Sequence, residues 1–125
     1  MSTPSAAATT AKPISDITGY HAHIYFDSET EAAAQAIREE IEAQFDVVMG
    51  RWHHKLVGPH PRPMYQVAFE TKLFPEFTPW LALNRRNLTV LLHPNTGDHL
   101  TDHTSFAMWM GEVLELNVGI FDKSA

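Results

Sequence analysis

The sequence predicts an α+β fold: a ferredoxin-like βαββαβ antiparallel sheet with a short C-terminal helix and an edge strand. Two observations predict it. Short segments with apolar side chains at alternate positions indicate strands, and the stretches between them repeat apolar residues at helical spacing. The order strand, helix, strand occurs twice before a C-terminal appendage. A doubly wound parallel sheet would need more strands and longer crossover connections, so we expect the ferredoxin-like arrangement.

The first strand and the first helix have the clearest patterns. Residues 19–26 alternate between two sets of side chains, which predicts a strand with two different faces. Ser28 and Glu31 are three residues apart and predict a capping box at the start of the helix. One face of that helix is apolar, because apolar residues recur four positions apart. These residues are Ala33, Ile37, Ile41 and Phe45.

The middle of the chain adds two strands and a loop. Residues 45–52 predict the second strand, and residues 64–70 predict the third. Residues 53–63 lie between them and contain three prolines and one glycine. That composition is incompatible with a regular element, so we expect a loop there.

The second half of the pattern is a short helix and a fourth strand. Thr78 is the predicted N-cap of the helix, and Pro79 takes the first helical position, where its missing amide hydrogen costs nothing. Residues 87–93 predict the fourth strand, and we expect Pro94 to end it.

The two ends of the chain complete the domain organisation. Residues 101–110 predict a third short helix that Gly111 closes, and the alternation in residues 114–120 predicts an edge strand. Residues 1–16 are small, polar and nearly uncharged, which predicts a disordered tail. Residues 17–125 then form a single domain.

The composition restricts the classes of function. Lys and Arg total 9 and Asp and Glu total 15, which gives a net charge of −6. Nucleic acids and anionic membranes bind basic surfaces, so we expect neither as a partner. The sequence has no cysteine, which excludes disulfides, thiolate metal ligands and a cysteine nucleophile. Because a secretory signal pattern is also absent, we expect a cytoplasmic protein.

Eight histidines are the most unusual feature of the composition. His21 and His23 are two apart on the first predicted strand, so both side chains leave the same, helix-free face of the sheet. His93 ends the fourth strand, which lies beside the first in a ferredoxin-like sheet. Three imidazoles on two adjacent strands could bind a divalent metal such as zinc, iron, copper or nickel. The alternative is a hydrogen-bonded surface pair without a metal.

Two further histidines could belong to the same site. His60 lies between Pro59 and Pro61, which stiffen the loop that carries it. His103 follows Asp102 near a predicted helix start. A rigid turn and a solvated helix end explain the same two residues without any chemistry. We interpret the remaining three as surface or loop residues: His53, His54 and His99.

Four segments together resemble one known family. They are GYHAHIYF at 19–26, VGPHPRPMYQV at 57–67, LLHPNTGDHLTDH at 91–103 and AMWMGE at 107–112. In this order they resemble the DOPA 4,5-dioxygenase family, over about residues 17–121. The resemblance implies a ferredoxin-like fold and extradiol cleavage of a catechol with O₂ by a non-haem metal, usually iron(II). Zinc or another divalent metal could occupy the same site in crystals.

This reaction class limits the number of metal ligands. An extradiol enzyme must leave room for both catechol oxygens and for O₂, so about three protein ligands are expected. We predict that these are His21, His23 and His93. Because the usual iron site combines two histidines with one carboxylate, Glu70 on the third strand is the alternative third ligand.

The reaction also needs a proton acceptor and a group that holds the substrate. We predict that His60, or else His103, is the general acid and base, because imidazole titrates near neutral pH. We predict that Arg62, Arg51 and Tyr25 bind the substrate, the two arginines through an anionic tail.

Other functions and an assembly also follow from these residues. A metal-binding or ligand-binding module without oxygenase activity would use the same histidines, as would a zinc hydrolase or an isomerase. On the helix-free face, Tyr25 and Leu91 would be part of a wide exposed apolar surface. We therefore predict a homodimer or a higher even oligomer.

Overall fold

One antiparallel sheet joins five strands of the computed structural model, which describes residues 10–121. The strands are β1 (Gly19–Tyr25), β2 (Val48–Met49), β3 (Met64–Phe69), β4 (Val90–Asn95) and β5 (Met108–Met110). Their spatial order is β2-β3-β1-β4-β5, so the first strand lies between the third and the fourth. The predicted α+β, ferredoxin-like arrangement with an added edge strand is confirmed.

Three α-helices accompany the sheet: α1 (Glu31–Gln44), α2 (Phe74–Asn84) and the short α3 (His99–His103). Within residues 10–121, no helix has the length and apolar character needed to span a bilayer. Helices α1 and α2 pack on one face of the sheet, which we call the helical face. The main core forms there, and β1 contributes the alternate residues that its pattern predicts: Tyr20, Ala22 and Ile24, with Phe26 just beyond the strand.

The opposite face of the sheet, called the open face below, has a second and smaller apolar cluster. Tyr25, Met64 and Leu91 are buried there, under Leu114 and Leu116 of the C-terminal segment. Tyr25 is 2% exposed and Leu91 is 0% exposed. The dimer prediction rested on the exposure of these two side chains, and that expectation is wrong because the chain covers them itself. The oligomeric state stays a prediction without this argument.

The start of α1 differs from the predicted capping box. Asp27, not Ser28, satisfies the free amide groups that precede the helix. Its carboxylate accepts hydrogen bonds from the amides of Glu29 and Thr30 at 2.9 Å, and from the Thr30 hydroxyl at 3.0 Å. An aspartate makes this turn well because its short side chain reaches the backbone two and three residues further on.

The start of α2 also differs. The helix begins at Phe74, so Thr78 is not its N-cap and Pro79 lies inside it. Pro75 occupies the first turn, where a proline is tolerated because that amide has no partner within the helix. The sequence therefore contains two prolines that can each mark a helix start, and the earlier one does.

Two predictions about the end of the chain are wrong. Strand β4 continues through Pro94. The backbone groups of Pro94 point away from β1, and β5 does not extend far enough to pair with this residue, so no strand needs the amide hydrogen that proline lacks. Residues 101–110 are not one helix: α3 ends at His103, and β5 pairs with β4. Residues 114–120 contain no strand, so β5 is the edge strand beside β4, and β2 lies at the other edge of the sheet.

The remaining boundary predictions hold in part. Strand β2 keeps only two of the residues predicted for the second strand, 45–52. Of the predicted tail, residues 1–9 lie outside the described part of the chain, and Ile14–Asp16 form a 3₁₀ turn. At the other end, residues 122–125 of the predicted domain also lie outside it.

Candidate metal and catalytic site

Five histidines converge on the open face. His21 and His23 lie on β1, and His93 lies on β4 directly opposite His21. His60 comes from the loop before β3, and His103 ends α3. Two groups of three have nitrogen atoms within 4.8 Å of one another: His21, His23 and His93, and His23, His60 and His103. Because the two groups share His23, the five side chains form one cluster, which we call the histidine cluster.

The first group has the geometry that a divalent metal needs. The Nε2 atoms of His23 and His93 are 3.2 Å apart. Two nitrogen ligands of a tetrahedral zinc ion, each about 2.05 Å from the metal, are about 3.3 Å apart. The Nδ1 of His93 donates to the carbonyl of Pro94 at 2.9 Å, so its Nε2 keeps a free lone pair. The donor set therefore fits a metal ion.

The alternative at the same atoms is a hydrogen bond between two neutral rings. In that case the Nε2 of His23 donates to the Nε2 of His93, and its Nδ1 becomes an acceptor. Among residues 10–121, however, the Nδ1 of His23 has no hydrogen-bond partner although it is buried. A buried polar atom without a partner costs free energy and is uncommon outside functional sites.

The second group surrounds the other side of His23. The rings of His23 and His60 are 4.1 Å apart between centroids, and so are those of His93 and His103. The Nδ1 of His103 donates to the carbonyl of His99 at 2.7 Å, which leaves its Nε2 free. The Nδ1 of His60 is 2.7 Å from the hydroxyl oxygen of Tyr25. Each of these rings thus has one fixed and one available nitrogen.

Burial keeps the histidine cluster neutral. His23, His60 and His93 are 3%, 6% and 1% exposed, and loss of hydration disfavours their charged forms. Burial and the neighbouring imidazoles lower the pKa of His23 well below its usual value and lower the pKa of His60 and of His93 to about 4. Burial is also the main cause that lowers the pKa of His21 and of His103. A His60 that titrates near neutral pH in the free protein is therefore a wrong expectation.

We expect the metal-free protein to lose stability as the pH falls from 7 to 5. The pKa of His60 and of His93 is about 4 in the folded protein and near 6.5 in an unfolded chain. In this range the unfolded chain takes up protons that the folded protein does not. Stability is therefore complete above pH 6.5 and is lost as the pH falls toward 4, by about 2 kcal/mol for each of the two histidines at pH 5.

Urea unfolding at pH 7 and at pH 5 measures this loss. The variant His60→Ala should lose less stability between the two pH values than the unchanged protein. The variant His54→Ala is the matched control, because His54 is exposed and contacts Trp52, Glu31 and Phe26, which lie outside the histidine cluster. Equal free energies of unfolding at both pH values would contradict the prediction.

The three predicted substrate-binding residues differ in their burial and in their hydrogen-bond partners. Tyr25 reaches the cluster, but it is buried and its hydroxyl is engaged by His60. Arg62 is half-exposed and bonded to Glu112 at 2.9 Å. Arg51 is exposed and has no hydrogen bond or ion pair with any residue from 10 to 121. Burial raises the pKa of Tyr25 and the charge of nearby Arg62 partly opposes that rise, so Arg62 lies beside the histidine cluster. Among residues 10–121, no contact joins Arg51 to the cluster.

The carboxylate predicted as an alternative ligand is also elsewhere. Glu70 is exposed and lies 3.4 Å from Lys72. Within residues 10–121, neither histidine group includes a carboxylate. The acidic residue that does lie beside the cluster is Asp102, which is buried and accepts hydrogen bonds from the Thr96 amide and hydroxyl at 2.9 and 2.6 Å. Its charge partly opposes the lowered pKa of His93.

Sequence reasoning missed several neighbours of the cluster. His53 pairs with Met64 and so shares the open face with His60, whose pKa it helps to lower. Phe121 lies 4.9 Å from His103 between ring centroids. Trp109 lies beside Tyr25 on the open face, where it faces Leu91 across β4 and β5. Neither residue belongs to a periodic pattern, because His53 lies in the loop before β3 and Phe121 ends a short 3₁₀ helix, Val118–Phe121.

Comparison with known proteins agrees with this geometry. The model of the Dopa 4,5-dioxygenase family matches residues 20–120. A DOPA 4,5-dioxygenase of Amanita muscaria is 30% identical over 135 residues, which cover 94% of this chain and 59% of that protein. An uncharacterized 21.2 kDa protein of Botryotinia fuckeliana is 37% identical over 116 residues, which cover 83% of this chain and 63% of that protein. The chain thus spans less than two thirds of the length of both relatives.

A solved structure is similar as well. A candidate dioxygenase of Nostoc punctiforme is 43% identical and has a TM-score of 0.89. The match covers 92% of this chain and 100% of that chain. The likeness therefore extends over most of this chain and over the whole of that one.

Proposed function

The chain belongs to the Dopa 4,5-dioxygenase family, and we propose that it is a metal-dependent extradiol dioxygenase acting on a catechol with O₂. In this reaction the ring opens beside the diol, and both oxygen atoms of O₂ enter the product. The observation that carries the proposal is the pair of Nε2 atoms of His23 and His93, 3.2 Å apart within a cluster of five imidazoles. Neutral imidazoles are good ligands for iron and zinc.

We assign the metal to His21, His23 and His93, and we propose iron(II) as the metal used in catalysis. These ligands come from two paired central strands, which hold side chains more rigidly than a loop does. The hydrogen bond from the Nδ1 of His93 to a carbonyl is the usual support of a ligating imidazole. Bound iron(II) would supply a Lewis-acidic, redox-active centre that chelates the two catechol oxygens and activates O₂.

His60 moves protons in this proposal, and His103 is the alternative for that role. In this proposal the Nδ1 of His60 donates its hydrogen to the Tyr25 hydroxyl oxygen, which leaves the Nε2 lone pair free to accept a proton from a catechol hydroxyl. The pKa of His60, lowered to about 4 by burial, keeps this nitrogen unprotonated before substrate binds. A bound catecholate opposes that shift through its negative charge, which lets the ring keep the proton and return it later.

The experiment that tests the proposal loads the protein with iron(II) without oxygen, adds a catechol and then admits O₂. We expect uptake of one O₂ per catechol and the yellow colour of the ring-opened product. Zinc-loaded protein is the control and should consume no O₂. Metal bound at stoichiometric level without O₂ uptake for any catechol would favour the alternative, a metal- or ligand-binding module without oxygenase activity.

A further inference from the structure

A cavity of about 440 Å³ on the open face adjoins the histidine cluster. His103 belongs to both, because its ring contacts His93 on one side and lines the cavity with the other. Trp109, Leu114 and Leu116, which pack against the buried cluster of Tyr25, Met64 and Leu91, line it as well. We call this space the His103 pocket, and its volume is within the usual range for small-molecule sites.

The outer part of the pocket is also uncharged. Val113 and Val118 continue the apolar wall, and the hydroxyls of Thr104 and Ser105 are the polar groups. Among the described residues that line it, none is Lys, Arg, Asp or Glu. A carboxylate in this space would lose part of its hydration against the apolar wall without meeting a positive charge among the lining residues, which is unfavourable.

The cation closest in sequence to the site is already neutralised. Arg62 donates to Glu112 at 2.9 Å, and the same carboxylate accepts from the Thr89 hydroxyl at 3.2 Å. Because Glu112 already neutralises Arg62 and directly precedes Val113 at the pocket wall, a substrate carboxylate bound by Arg62 would lie next to a second negative charge. Glu112 would repel that anion.

We propose that the His103 pocket receives the ring substituent of the catechol and that it selects an uncharged, apolar substituent over an anionic one. This inference rests on the proposed function, since it takes a catechol as the ligand of the histidine cluster. A pocket with this preference does not suit DOPA, because the DOPA side chain ends in a carboxylate and an ammonium group. Val113, at the rim, is a residue that determines specificity.

Two catechols of nearly equal shape test the inference: 4-propylcatechol and 3-(3,4-dihydroxyphenyl)propionate, whose side chains end in a methyl group and in a carboxylate. Calorimetric titration of the metal-loaded protein without oxygen measures the binding of each. We expect 4-propylcatechol to bind at least about tenfold more tightly than the propionate, and also more tightly than catechol itself.

A charge introduced at the rim should reverse this preference. Val113 is 76% exposed, so Val113→Arg should fold normally, and we expect it to shift the affinity ratio toward the propionate by at least about fivefold. Val48→Arg is the matched control, because Val48 is a 71% exposed valine on β2, at the opposite edge of the sheet. It adds the same net charge and should leave the ratio unchanged.

The outcomes separate this inference from the proposed function. Equal or tighter binding of the propionate by the unchanged protein would overturn the inference while leaving a catechol site in place. Binding of catechol without any gain from the propyl group would do the same. Binding of none of the three ligands would remove the catechol function, and the inference would fall with it. An equal shift of the affinity ratio in Val48→Arg would mean that net charge alone explains the effect of Val113→Arg. It would reject the assignment of Val113 to the pocket rim.

Discussion

His23→Ala should bind no metal at stoichiometric level, while the unchanged protein binds one equivalent. His23 is shared by both groups of histidines on the open face, so its loss removes a ligand whichever group holds the ion. Loss of a hydrogen-bonding partner of a ligand typically costs 10–100-fold in metal affinity, and loss of the ligand itself should cost more. Metal analysis of the purified variant checks this, with a thermal melt to establish that the variant is folded.

Four further variants identify the ligand group. His21→Ala and His93→Ala should also lose the metal, whereas His60→Ala and His103→Ala should keep it. The reverse pattern would transfer the metal to the second group. His54→Ala is again the control, because this exposed histidine interacts outside the cluster. Full metal occupancy in His23→Ala would reject both groups.

His60→Ala should keep its metal and bind a catechol, but turn over at least about a hundredfold more slowly. General acid and base groups commonly contribute about 10²–10⁴ in rate, and His60 is the loop histidine in ring contact with His23. The kinetic signature is a lower kcat with a nearly unchanged KM, because the lost interaction acts on the transition state. Steady-state O₂ uptake at varied catechol concentration measures both constants.

Tyr25→Phe separates proton transfer from packing at the same position. It removes the hydroxyl at 2.7 Å from the Nδ1 of His60 and keeps the buried ring. We expect a smaller loss of kcat than in His60→Ala. Near-normal turnover of His60→Ala would assign the acid–base role to His103, and a rise in KM alone would mean that His60 only stiffens the loop.

Alternation in the sequence was sufficient to find the histidines that strands carry. His21 and His23 are two positions apart, so a strand must present both side chains on one face. The apolar residues that pack against the helices lie on the opposite face. The strand order then brings His93 directly opposite His21. The central sheet and the first group of histidines could therefore be predicted, because local periodicity and topology determine both.

The end of the chain was predicted poorly, for a physical reason. Leu114 and Leu116 alternate like a strand, but they pack across the open face on Tyr25 and Leu91 and pair with no neighbouring strand. Trp109, which was predicted in a helix, lies in β5 and pairs with Leu91 of β4. An apolar alternation shows that side chains are buried, and only long-range contacts decide which surface buries them.

The sequence by itself determined the α+β order, the central strand and the presence of a histidine-rich face. Only the tertiary structure decided that His60 of the loop and His103 of α3 join that face, because their positions depend on contacts with residues far along the chain. It also decided their charge, since burial beside other imidazoles lowers the pKa of His60 to about 4. Likewise, the sequence indicates no partner for the charge of Arg62, but folding pairs it with Glu112, 50 positions away. Hydration and pairing are properties of the folded surface, so residue type alone does not determine them.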